Sequence, residues 1–321
     1  MRIRAYTEAD AAAWDDLAGR SACGTFLHTR RFLSYHGPRF EDLSVLCEDE
    51  KKRVIGVFPA ALKPDDPACV ASHPGATYGG LLYREGSGAD EVEEMLVGII
   101  EHYRSKGLKY LEYKSVPPHF QLPFSQADVY AIWKQGGEIF RRDLWSVAAL
   151  HDPAGYSDHH KREIARARKR DMVVGVAGSD TQYREFHGVL TACLAERHGA
   201  VPVHKPDEML QLRDRFPANI ALWLARDGSG RLLAGSWVFL FPGKAWHTQY
   251  IATSPEGRSQ SAGYLVMDEL IRTATDSRIP FLSFGASTED NGRALNSGLF
   301  DFKAGFGAGA VCHDIYRLGL A

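Results

Sequence analysis

Cysteine is scarce in this chain, and the little there is does not pair. The five cysteines (Cys23, Cys47, Cys69, Cys193 and Cys312) are odd in number, widely scattered and free of any CxxC spacing. That excludes a compact disulfide framework and reads as reduced thiols in a cytoplasmic protein. The 13 histidines include no HExxH and no Cys/His quartet, so no metal site is expected. No GxSxG is present for a serine nucleophile. Long apolar runs are missing too: "VIGVFPAAL" is broken by Pro59, far short of the roughly 20 residues that cross a bilayer. The opening stretch "MRIRAYTEADAAAWDDLAGR" lacks a signal-peptide core and reads as a short strand, then a helix capped near Thr7. A net charge of −2 argues against a general nucleic-acid coat, though not against a local basic site.

What is present is ordinary globular material, 321 residues with 45% hydrophobic and 24% charged, enough for two domains of about 150. One segment departs from the mildly acidic background. "KREIARARKRD" (161–171) holds six Lys or Arg against two acids. On a helical wheel Arg162, Arg166, Lys169 and Arg170 share one stripe, with Ile164, Ala165, Ala167 and Met172 leaning away. This is either a solvated amphipathic helix or an anion-binding face for phosphates or an RNA backbone.

Sliding the chain on itself by 171 residues overlays 86–113 on 257–284 without a gap. Met95, Leu96, Ile99 and Ile100 fall on Val266, Met267, Leu270 and Ile271, the buried stripe of one helix met twice. Leu108, Tyr110, Leu111 and Tyr113 then fall on Ile279, Phe281, Leu282 and Phe284, a following strand. Ahead of the second copy lie three strand-like runs, near 219–226, 231–241 and 244–252, separated by "DGSG" and "PGK" turns. A helix over about 261–275 follows. The first half repeats this with "EDLSVLCED", "KRVIGVFPAALK", "ATYGGLLY", a helix over 90–105 and "KYLEY". An antiparallel meander, then helix, then strand predicts a mixed α/β (α+β) fold. It has two tandem domains, 1–152 and 153–321, with the seam near 150–158.

This order of elements resembles the GNAT acyltransferase fold, in which the loop before the central helix binds pyrophosphate through an [RQ]xxGx[GA] pattern. The resemblance places Arg258, Ser261 and Gly263 in that loop, with serine in place of the middle glycine, and Arg84, Ser87 and Ala89 in its first-half counterpart. Backbone N–H groups and a helix dipole facing an anion are the physics involved. Two such domains, with "TFLHTRRFL" (25–33), "KREIARARKRDMVV" (161–174), "LAERHG" (194–199) and "GLFDFKAGFGA" (298–308), resemble the Fem-type aminoacyltransferases. The long helical arm of that group has no counterpart here, which makes the chain more like its compact members.

The resemblance implies acyl transfer that forms an amide bond, from aminoacyl-tRNA to an amine on a peptide, nucleotide-linked or cell-envelope acceptor, with no cofactor beyond that co-substrate. It implies that Lys303, beside Phe302, meets the reacting carbonyl as an oxyanion or phosphate partner. Arg30 or Arg31 and Arg197 hold an acceptor diphosphate by position, and Glu112 and Lys114 line the acceptor pocket. His247, on a strand with Gln249, occupies a place where GNAT enzymes keep a base or a water; packing in the sheet is the other reading. "PGATYGG" (74–80) reads as a cleft-facing strand entrance or a tight turn. Two alternatives stay open: an acyl-CoA N-acyltransferase for polysaccharide, lipid or antibiotic assembly, and a non-catalytic peptide- or glycan-binding module. The "GFGAG" of 305–309 is no dinucleotide loop, because only about a dozen residues follow it and a βαβ unit takes about 30. It reads as the approach to the last strand, with Lys303 facing the cleft.

Overall fold

The protein is described by a computed structural model over residues 1–320, with the side chains of Arg197 and His198 outside the described residues. The chain forms two compact units. The first comprises Met1–Asp143, Asp290–Ala294 and Cys312–Ala321; the second comprises Leu144–Glu289 and Leu295–Val311. The crossing from first to second therefore falls inside the strand Glu138–Ala149, while residues 150–158 lie wholly in the second unit.

In the first unit Thr7 and Asp10 form a capping box ahead of the helix Ala11–Arg20, whose Trp14, Leu17 and Ala18 are buried. The strand Arg2–Ala5 pairs with Val45–Glu48, which pairs with Val54–Phe58. Pro59, with no N–H to give a ladder, separates that strand from Ala60–Lys63. Ala60–Lys63 pairs with Asp66–Ser72, a strand the sequence reading missed because "DDP" looks like turn chemistry. The stretch 74–80 is a turn and an inward-packed loop, not a strand entrance: the Ala76 amide donates to the His73 carbonyl at 3.0 Å, and the strand that follows is only Leu82–Tyr83.

The second unit holds the expected meander. Ile220–Asp227, Leu232–Phe241 and Ala245–Thr253 pair antiparallel in order, and Met172–Val176 adds to the outside of the first of these. The helix Ala262–Asp276 packs its buried stripe against one face. Val266, Met267, Leu270 and Ile271 join Leu282, Phe284 and Phe306 in a single cluster. Each aliphatic side chain buried this way contributes about 1.5–3 kcal/mol.

The internal repeat is visible in the hydrogen bonds. In the first unit Asp66–Ser72 and Tyr110–Lys114 run parallel and pair at Cys69↔Tyr110, Val70↔Leu111 and Ala71↔Glu112. In the second, Ala245–Thr253 and Phe281–Ala286 run parallel and pair at Ala245↔Phe281, Trp246↔Leu282 and His247↔Ser283. The 171-residue shift maps Tyr110, Leu111 and Glu112 onto Phe281, Leu282 and Ser283, so helix and strand repeat in register. Among the described residues no helix is long and apolar enough to cross a membrane.

Candidate active site

The second unit carries an open cleft. Its parallel strands pair over three residues only, and an irregularity between Trp237 and Val238 leaves Gln249 as an extra residue in the neighbouring register. Further along the same strand, Ile251 and Thr253 line a cleft of about 640 Å³. Its other walls are Arg258, Ser261, Gly263 and Tyr264, Cys193 from the helix Asp180–His198, and Asn296, Gly298, Leu299 and Phe302. Of the residues named from sequence, Arg258, Ser261, Gly263 and Phe302 come together here.

The loop that forms one wall is built by local rules. Ser254 caps the short helix Pro255–Ser259, accepting from the Gly257 amide at 3.0 Å, with proline at the first helical position. Ser261 then takes a left-handed conformation (φ 62°), and the helix Ala262–Asp276 begins. Gly263 is required by space, since a Cβ there would lie 2.7 Å from Thr253 Oγ1. Both polar side chains of the loop are engaged. Arg258 donates to the two carboxylate oxygens of Glu196 at 2.9 and 2.8 Å and to the Thr253 carbonyl at 3.2 Å. The Ser261 hydroxyl donates to Glu163 of the basic helix.

Lys303 sits differently from its expected place. It lies in a helix, Ser297–Ala304, capped by the Asn296 side chain, and not in an extended approach to the last strand. The lysine is only 2% exposed and faces inward, while its neighbour Phe302 lines the cleft. Its Nζ donates to the Gly285 carbonyl at 3.1 Å and to the Ala286 carbonyl at 2.5 Å. Burial away from water pushes its pKa down to about 7. His247 is buried as well, with Nδ1 3.1 Å from Ser283 Oγ and its ring stacked on Trp145 at 5.3 Å. A Cβ on Gly285, whose φ is +71°, would lie 3.3 Å from His247 Cε1. Gly285 is thus the residue at which Lys303 and His247 converge. Trp145, Ser283 and Gly285 escaped the sequence reading; the one signal was the glycine closing "PFLSFG".

The basic segment forms the helix Asp158–Arg168, with Lys169 as its C-cap and Arg170 just beyond. Its buried positions are His160, Ile164 and Ala167, so Ala165, placed on the inner side by the wheel, is instead exposed. Arg162, Lys169 and Arg170 are exposed. Arg166 reaches back to the Ser259 carbonyl at 3.3 Å and pairs with Glu163 at 3.7 Å, and Arg168 pairs with Asp268 at 2.6 Å. His160 ties this helix to the one carrying Lys303. Its Nε2 lies 2.8 Å from the Phe302 carbonyl and its Nδ1 2.9 Å from Ser157 Oγ. Gly305 makes that approach possible, because a Cβ there would fall 1.9 Å from His160 Cε1.

In the first unit, the residues expected to bind the acceptor are held by neighbours. Arg30 lies over the Tyr6 ring at 3.6 Å, pairs with Asp42 and donates to Ser44 Oγ at 3.1 Å. Arg31 is exposed on the same short helix, Arg30–Leu33. Glu112 pairs with Lys63 at 2.9 Å and with Arg317. Lys114 donates to the carbonyls of His73, Pro74 and Ala76 at 3.3, 3.3 and 3.0 Å, which draws the 73–80 loop over the end of the parallel strands. Burial lowers its pKa to about 8. Arg84 pairs with Glu91 at 2.6 Å. The side chain of Arg197 lies outside the described residues. Among the described residues no group of three or more His, Cys, Asp or Glu is arranged to hold a metal.

Comparison with known proteins agrees with this geometry. The family model described as an acetyltransferase (GNAT) domain matches residues 156–303, a span that includes every cleft-lining residue and ends on Lys303. The crystal structure of FemX is similar over 99% of this chain and 97% of its own, at 11% identity and a TM-score of 0.70. L-PGS from Bacillus licheniformis is similar over 96% and 91%, at 11% identity and 0.62. A tandem GNAT protein from the clavulanic acid biosynthesis pathway is similar over 100% and 98%, at 13% identity and 0.52. No curated protein matches the sequence. The chain has the double-GNAT fold seen in FemX, a GNAT-type acyltransferase fold whose open cleft lies in the second unit.

Proposed function

We propose that the protein is an acyltransferase that forms an amide bond, with an aminoacyl ester on tRNA as its donor. The amine nitrogen of the acceptor attacks the ester carbonyl carbon, the new C–N bond forms, and the ester C–O bond breaks. The 3′-hydroxyl of the carrier leaves with the proton given up by the amine. Such an ester is already activated, so positioning and oxyanion stabilisation are what the protein must supply. An ammonium has three N–H donors. Lys303 spends two on the Gly285 and Ala286 carbonyls and keeps one for a developing oxyanion, which has to reach this buried lysine past cleft-lining Phe302.

The observation that carries this reading is the exposed cationic row Arg162, Lys169 and Arg170, on a segment whose His159 reaches cleft-lining Tyr264 and whose Arg166 reaches the carbonyl of Ser259, the residue after cleft-lining Arg258. A polyanionic carrier lying on that row delivers its end to the cleft. The acyl-CoA alternative is supported by the GNAT domain match and by the Arg258–Gly263 spacing. Two assays with a mixed amine acceptor pool separate them: release of deacylated tRNA from aminoacyl-tRNA, and release of free thiol from acetyl-CoA. The proposal expects the first and not the second; thiol release alone reassigns the donor. Turnover of neither, with activity in cells indifferent to loss of Lys303, leaves a binding module.

A further inference from the structure

The loop 258–263 has the shape of an anion site but not its charge. The first N–H groups of a helix have no acceptor of their own and attract anions. Here two carboxylates already occupy the approach. Glu163 takes the Ser261 hydroxyl, the side chain that stands where the pattern has a glycine, and is itself half-buried beside Arg166. Glu196 neutralises Arg258, the one cationic side chain that lines the cleft among the described residues. The two differ in strength. Glu196 has a side chain 55% exposed and can swing away into water, whereas that of Glu163 is 22% exposed and is held by its partners. A diphosphate entering this loop would meet a fixed negative charge at close range, in partly desolvated surroundings where screening by salt is weak.

We propose that Glu163 is a specificity-determining residue of this cleft, one that rejects diphosphate-bearing donors and accepts a donor whose group at that point gives hydrogen bonds. Phosphates are then held outside, on Arg162, Lys169 and Arg170, and not inside the loop. This deepens the donor assignment above and rests on it for the site, but its test does not depend on turnover.

The test is direct binding of CoA and of inorganic pyrophosphate, by calorimetry, to the full chain and to Glu163→Gln and Glu163→Gln/Glu196→Gln. The wild type is expected to give no saturable CoA binding at millimolar ligand. Removing the charge of Glu163 is expected to tighten CoA by at least about tenfold, with pyrophosphate competing. Adding Glu196→Gln to Glu163→Gln should tighten CoA little further. Glu163→Ala is the second variant should Glu163→Gln lose its cooperative melt. Micromolar CoA binding by the wild type overturns the proposal, as does an unchanged affinity in the folded variants. Failure of the aminoacyl-tRNA reading shows separately, as absence of deacylated tRNA, and leaves the CoA comparison intact.

Discussion

Lys303 carries a charge at a depth where charge is costly. Its folded pKa is lowered from 10.5 to about 7, so folding expels a proton at any pH between those values. The native state is penalised fully below pH 7, and the penalty fades as pH rises toward 10.5. Wild-type stability is therefore expected to gain on Lys303→Met between those limits, by at most roughly 4–5 kcal/mol. Denaturant melts of both proteins at about pH 6, 8 and 10 read this directly. Activity should run the other way. If the ammonium is the working form, the rate falls as pH rises through about 7, and Lys303→Met loses at least ~100-fold in kcat. A rate that rises through the same point makes Lys303 the base. The sequence singled this lysine out through its Phe-Lys pair but faced it to the cleft, because the segment read as the approach to the last strand. What turned it inward was the Asn296 cap that starts a helix six residues earlier, paired with carbonyls from a distant strand end.

Two helices meet through one ring. His160 on the basic helix reaches the Phe302 carbonyl only because Gly305 has no side chain. Gly305→Ala is expected to displace the ring and destabilise the fold by about 1–3 kcal/mol, measurable as a lower denaturant midpoint. If the protein turns over substrate, kcat should fall as well. The outer face of the basic helix answers to a different measurement. Reversing Arg162 and Lys169 to glutamate should weaken tRNA binding and flatten the plot of log K against log salt by about 1.5. An unchanged slope would remove the polyanion from this face. The helices of the repeat were legible because burial recurs every three or four residues at Met95 to Ile100 and again at Val266 to Ile271. The strands Asp66–Ser72 and Glu138–Ala149 were not. One opens on turn residues and the other carries Glu138, Arg141, Arg142 and Asp143, so pairing with neighbours defines them where local pattern does not.

The two units are not consecutive in the chain. The strand Gly309–Gly319 pairs with Tyr110–Lys114 from Ile315↔Lys114 to Gly319↔Tyr110, and the Arg317–Glu112 ion pair lies within it. A fragment ending at 152 would leave Tyr110–Lys114 without this partner and Arg142 without Asp314. It is expected to aggregate or melt without cooperativity, and adding residues 309–320 through a short linker should restore a sharp transition in circular dichroism. A fragment 1–152 that melts cooperatively alone would show that the returning strand is dispensable. The repeat itself was readable from sequence, but this return was not: the last strand reads there as the end of the second domain, 153–321, whereas Cys312–Ala321 belongs to the first unit. The same return sets an order of events during synthesis. The first unit begins to emerge from the ribosome long before the second, yet it cannot close its sheet until residue 319 has appeared. The later-made unit is therefore the first able to complete its own, and the earlier one must wait with an unpaired strand exposed.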